Sequence, residues 1–171
     1  MRHSILLTLC AAAVGLSACE PTGEAQVEDV LADLNVIDET NLNDVMLTVG
    51  DPNQAVAYFA DASAKAPERV DLKRGLAVSL IRAQRPTDAV AIWQEVVADV
   101  DATNSDRVDL ADAYVRSNQW DPAAATLNTV PPTYETFERY RLEAMVADSK
   151  QQWDKADSFY ETAVGLTTRP A

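Results

Sequence analysis

Apolar residues recur along this chain at helical rather than strand spacing. Ala55, Phe59 and Ala62 fall at i, i+4 and i+7, which puts them on one face of a helix. The same small–large–small triplet returns as Ala89, Trp93 and Val96, as Ala123, Leu127 and Val130, and as Ala156, Tyr160 and Ala163. The first members of the four triplets are 34, 34 and 33 residues apart. Twelve or thirteen residues ahead of each anchoring alanine stands the core pair of another helix: Leu42-Asn43, Leu76-Ala77 and Leu110-Ala111. A large residue follows three positions later, as Met46, Leu80 and Tyr114. In the fourth unit Glu143 and Ala147 occupy those places, with Leu142 and Val146 as the alternative core residues. A period near 34 with two helices per unit predicts a stack of helix pairs, each burying its apolar face on the next.

The punctuation agrees. Gly50 and Asn118 hold one equivalent place between paired helices, and both suit the left-handed backbone that ends a helix. Pro52, Pro86, Trp120 and Trp153 share another. Asp121-Pro122 offers a capping oxygen followed by a residue whose missing N–H costs nothing in a first turn. Pro67 and Pro131-Pro132 end second helices. Trp93, Trp120 and Trp153 sit at repeat-equivalent places and are expected to pack rather than to bind sugars.

This pattern resembles the tetratricopeptide repeat (TPR) over roughly residues 36–168. The resemblance implies an all-α fold, a right-handed α-solenoid of about four TPR-like helix-turn-helix repeats, with the first helix of each pair lining the concave face.

The first residues read differently. Met1-Arg2-His3 is a short basic start, and Ile5 to Leu16 is an apolar run of about a dozen residues. A membrane span needs roughly 20, so this is a signal-peptide core. It runs into Leu16-Ser17-Ala18-Cys19, which resembles the lipobox of bacterial lipoproteins. That resemblance implies cleavage after residue 18 and acylation of Cys19. Several acyl chains anchor a protein stably, because each buried methylene contributes about 0.8 kcal/mol. Glu20, rather than an aspartate, follows the cysteine, which by the same resemblance favours the outer membrane, facing the periplasm. The expected organisation is a signal peptide over 1–18, the acylated cysteine and a tether over 19–35, with a short capping helix at Val27–Leu34, and the repeat domain over 36–171.

Composition narrows the chemistry. Without residues 1–18 the chain has 13 basic and 27 acidic residues, no histidine, and Cys19 as its one cysteine. No imidazole base, no His- or Cys-ligated zinc and no disulfide is available, and no glycine-rich loop can cradle a phosphate. A balance of −14 repels nucleic acid. Asp99, Asp101, Thr103 and Ser105 fail as a calcium loop, because Asn104 stands where the turn needs glycine and Leu110 where a glutamate is needed. Asp106, Asp109 and Asp112 read as a solvated helix face. No enzyme, cofactor or metal site is expected.

The usual inward positions of TPR first helices fall on Thr40, Asp44, Leu47, Arg74, Val78, Ile81, Arg82, Val108, Asp112, Val115, Arg116, Arg141 and Met145. Two readings stand side by side. In one, four arginines and their apolar neighbours form a groove for a peptide or acidic segment, with guanidinium forks receiving carboxylates. In the other, the arginines pair with Asp71, Asp112 and Glu138 on neighbouring helices. The uncapped C-terminal repeat implies either a sequence that continues into further repeats or a face covered by a partner or by a second copy of the chain. The stretch from Glu138 to Asp148 and on through Ala156 to Tyr160 is similar to the TPR lipoproteins of Flp/Tad (tight adherence) pilus assembly. This likeness implies a scaffold for pilus or secretin biogenesis, with an accessory role in β-barrel assembly as the alternative.

Overall fold

The computed structural model describes residues 41–48 and 50–167. The signal peptide over 1–18, Cys19, the tether to residue 35 and the capping helix at Val27–Leu34 lie outside the described residues, as do Thr40 and residues 168–171. What is described is helical: α1 (residues 41–48), α2 (Pro52–Lys65), α3 (Val70–Arg82), α4 (Pro86–Ala98), α5 (Asn104–Arg116), α6 (Trp120–Leu127), α7 (Phe137–Ser149) and α8 (Trp153–Thr167). No strand occurs among the described residues. From α2 to α8 each helix packs on the next, and α5 also touches α7. The described helices are therefore stacked in chain order.

The starts and stops have identifiable causes. Asp51 accepts from the Asn53 and Gln54 amides, both at 3.0 Å, just ahead of Pro52. Thr103 and Asp106 form a reciprocal capping box on α5, and Thr136 accepts from the Arg139 amide at 3.3 Å to start α7. Three helices end in a left-handed residue: Gln84 (φ 59°), Asn118 (φ 59°) and Gln151 (φ 58°). The following amides of Arg85, Gln119 and Gln152 then reach back five residues, to the carbonyls of Leu80, Tyr114 and Ala147. Gly50 makes the same bond to Val45, at 2.9 Å. It therefore stands in the place of Gln119, one residue beyond the Asn118 position expected from sequence. Its own constraint is space, since a Cβ there would meet the Met46 backbone at 3.1 Å.

The repeat register is visible in the core. Ala55, Ala89 and Ala123 are fully buried, and Ala156 is nearly so. Ala77, Ala111 and Ala144 form the corresponding set on first helices, all fully buried and spaced 34 and 33 residues apart. Phe59, Trp93 and Leu127 fill the spaces the alanines leave. In the fourth unit the 33-residue spacing holds. Glu143 takes the leucine's place because Arg139 pairs with it at 3.0 Å, while Leu142 and Val146 supply the buried bulk.

Two expectations are corrected. Helix α6 stops at Leu127, so Val130 lies past its end, yet it stays buried, just ahead of Pro131-Pro132, whose first member cannot donate to a continuing helix. Trp153 does not pack like Trp93: it is 59% exposed, because among the described residues nothing covers the far side of α8.

Gly75 tests the packing argument. A Cβ on it would meet the Phe59 ring at 2.4 to 2.8 Å. Gly75→Ala should lower stability by roughly 1–3 kcal/mol in urea unfolding, the usual cost of overpacking. Phe59→Leu should recover part of that loss in the double variant, against a further loss when made alone.

Candidate functional site

The residues expected on the inward face occupy α3, α5 and α7 in different ways. Val108 and Val115 are buried in the core and offer no surface. Leu47, Ile81 and Met145 are half-buried against that core, Val78 is 37% exposed, and Asp44 is exposed on α1. Each of the four arginines already has a partner within the chain. Arg74 forks onto Asp106 at 2.7 and 2.9 Å and also donates to the Asp101 carbonyl. Arg82 donates to the carbonyls of Met46 (2.7 Å) and Gly50 (2.9 Å), holding the last turn of α1 from the next repeat. Arg116 and Arg141 share the Asp112 carboxylate, Arg141 reaching it from α7 at 3.1 Å.

Asp106 is not a solvated surface acid. It is 2% exposed and accepts from Arg74 as well as from the amide and hydroxyl of Thr103, at 2.7 and 2.8 Å. Burial alone would raise its pKa, but the Arg74 and Thr103 hydrogen bonds outweigh that and hold it below the ordinary carboxylate value. Arg139, absent from the residues singled out by sequence, is the matching charge one repeat later. It is buried at the position of Leu72 and Asp106, pairs with Glu143, and donates to the carbonyls of Pro131 (2.8 Å) and Tyr134 (3.1 Å). It thereby fixes the loop between α6 and α7.

Between α3 and α5 the surface opens into a shallow pocket of about 190 Å³. Val78, Ile81 and Arg82 line it from α3, Trp93 from α4, and Asp109 and Asp112 from α5. Four of these six belong to the face expected from sequence; Trp93 and Asp109 do not. Asp109 is the odd group. It is half-buried, and among the described residues it has neither a hydrogen bond nor an ion pair. Burial, followed by the neighbouring charges of Asp106, Asp112 and Glu138, raises its pKa to about 6. A signal for this was present in the spacing. Asp106 finds its arginine 32 residues upstream and Asp112 finds one 29 residues downstream. The same offsets lead from Asp109 to Ala77 and to Glu138, neither of which can neutralise it.

A second hollow, about 230 Å³, lies over α6, α7 and α8, where the shortened α6 leaves Phe159 partly uncovered. Its cations are used internally: Lys150 pairs with Asp121 at 2.8 Å, and Lys155 lies 5.5 Å over the Phe159 ring. Among the described residues no group of acids, histidines or cysteines is arranged to hold a metal.

Residues 46–105, from α1 into the first turn of α5, match the tetratricopeptide repeat family profile. The fold is that of a tetratricopeptide-repeat solenoid. The solved structure described as "MamA MSR-1 C2" shares it, with a TM-score of 0.64 and 17% identity over 76% of this chain and 75% of that one. No curated protein matches the chain. The repeat architecture is one that binds protein partners, and the α3–α5 pocket opens on the first helices of the second and third TPR units.

The unpaired carboxylate gives a pH signature. The folded protein holds the Asp109 proton up to about pH 6, whereas the unfolded chain releases it near the ordinary value of 3.8. The folded state therefore binds more protons across that interval, and this group's contribution to stability improves as pH falls from 7 to 5. Asp109→Asn should raise the melting temperature at pH 7.5 by a few degrees and flatten its dependence between pH 7 and 5, as read by circular dichroism. Arg82→Gln should speed amide hydrogen exchange in residues 41–48 and leave α5 to α8 unchanged.

Proposed function

We propose that this TPR protein is a non-catalytic scaffold of the bacterial cell envelope. It is anchored by lipid on Cys19 in the outer membrane, facing the periplasm, and it holds a protein partner against α3, α5 and α7. The observation that carries the binding face is the α3–α5 pocket, where exposed Val78 and half-buried Ile81 lie beside a floor of Trp93. An apolar hollow edged by a few fixed polar groups is the usual form of a recognition site. The arginines support this face by bracing the helices: Arg74 ties α3 to α5, and Arg141 ties α7 to α5. Arg116 and Met145 extend the same face toward the last pair. The anchor rests on the sequence of residues 1–19. No described helix is long and apolar enough to cross a membrane.

The machine most consistent with the C-terminal likeness is Flp/Tad-type pilus or secretin assembly. The alternative is an accessory role in β-barrel assembly.

The anchor and the face are tested separately. Cys19→Ser should leave an unprocessed, unlipidated precursor that no longer fractionates with membranes, read by mass spectrometry and labelled palmitate. Normal processing of that variant would refute the anchor. A photo-crosslinking side chain at Val78 should capture pilus or secretin components in the native envelope. Capture of barrel-assembly components there would favour the alternative. Capture only from sites on α2, α4 or α6 would refute the face.

A further inference from the structure

We propose that the α3–α5 pocket takes a cationic side chain, a lysine or arginine of the partner, onto the carboxylate of Asp109. This rests on the binding face proposed above and specifies its partner's chemistry. The groups around the pocket make the case. From α3, Arg74 is committed to Asp106 and the Arg82 guanidinium is turned to the Met46 and Gly50 carbonyls. On α5, Asp106 is saturated by Arg74 and Thr103, and Asp112 is shared by Arg116 and Arg141. From α7, Glu138 adds a further negative charge and Arg141 is already spent on Asp112. Helix α4 contributes only the Trp93 ring. Arg82 has its guanidinium taken up by carbonyls, so Asp109 is the one pocket charge that the described residues leave without a hydrogen-bonding partner.

The pocket's shape fits that assignment. Lysine and arginine carry an apolar stem and a charged head. Val78, Ile81 and Trp93 can receive the stem while Asp109 receives the head. A carboxylate in such a setting loses little further hydration when a cation arrives, because burial has already removed part of it. The arrangement therefore discriminates against an acidic segment, which would add a further negative charge beside Asp109, Asp112 and Glu138. The expected preference reverses the one that a count of arginines suggests.

The test uses the full protein and nine-residue peptide pools in which one position at a time is fixed as Lys, Arg, Leu or Glu, in 0.15 M salt at pH 7.5. Lys- or Arg-fixed pools should be retained about tenfold better than Glu-fixed pools, the scale of one charge-assisted hydrogen bond. That preference should vanish in Asp109→Asn and weaken at pH 5, where Asp109 is protonated. General attraction to an acidic chain would survive the removal of one charge, so loss in this variant is specific. Retention without basic preference, or a basic preference unchanged in Asp109→Asn, overturns the inference. If retention in either case is abolished by Val78→Glu, the binding face itself stands. Failure of every pool to bind the wild-type protein overturns the face and the inference together.

Discussion

The packing of the described helices depends on buried residues with little or no side chain. Ala55, Ala77, Ala89, Ala111, Ala123 and Ala144 are fully buried, and Gly75 lets the Phe59 ring lie directly on the α3 backbone. Close approach at these points lets helices of 8 to 15 residues, marginal in isolation, gain enough contact to persist. It also sets the places of the large residues, because Phe59, Trp93 and Leu127 fit only where the alanines leave room. The pocket is a product of the same geometry. Between α3 and α5 the buried Trp93 ring forms part of the pocket wall.

The fold was legible because it is written in periodic small and large residues, and burial depends on little else. Ala89 and Trp93 identify themselves by spacing alone. Exceptions arise where a polar residue is rescued by a partner that periodicity does not reveal. Glu143 looked like a broken leucine position, and only the Arg139 pairing explains why it is tolerated. Gln84 and Gln151 adopt left-handed turns without being glycine or asparagine, so the sequence offers no local flag there. Helix α6 is cut short by a proline pair whose effect reaches back to Leu127.

The candidate site was half legible. Val78, Ile81, Arg82 and Asp112 were placed on the correct helices because repeat position predicts facing. What each charge does there was not, because electrostatic role depends on the distance to a partner and on burial, neither of which a single position encodes. Asp106 and Asp109 are three residues apart and chemically identical in sequence. One is the most hydrogen-bonded acid of the face and the other is unpaired, because Arg74 and Thr103 reach one and not the other.

The position shared by Leu72, Asp106 and Arg139 has a wider implication. Identical-looking repeats invite gain or loss of whole units, since a 34-residue exchange preserves the spacing of every alanine. In this solenoid such an exchange would be punished. Excising the unit that contains α3 removes Arg74 and leaves Asp106 ionised in an apolar seam; excising the unit that contains α5 takes away the Pro131 and Tyr134 carbonyls that satisfy Arg139. Each junction is keyed by a different chemistry. The array is thus modular in shape but not interchangeable in content, and the order of its described units is keyed by buried charge as well as by helix packing.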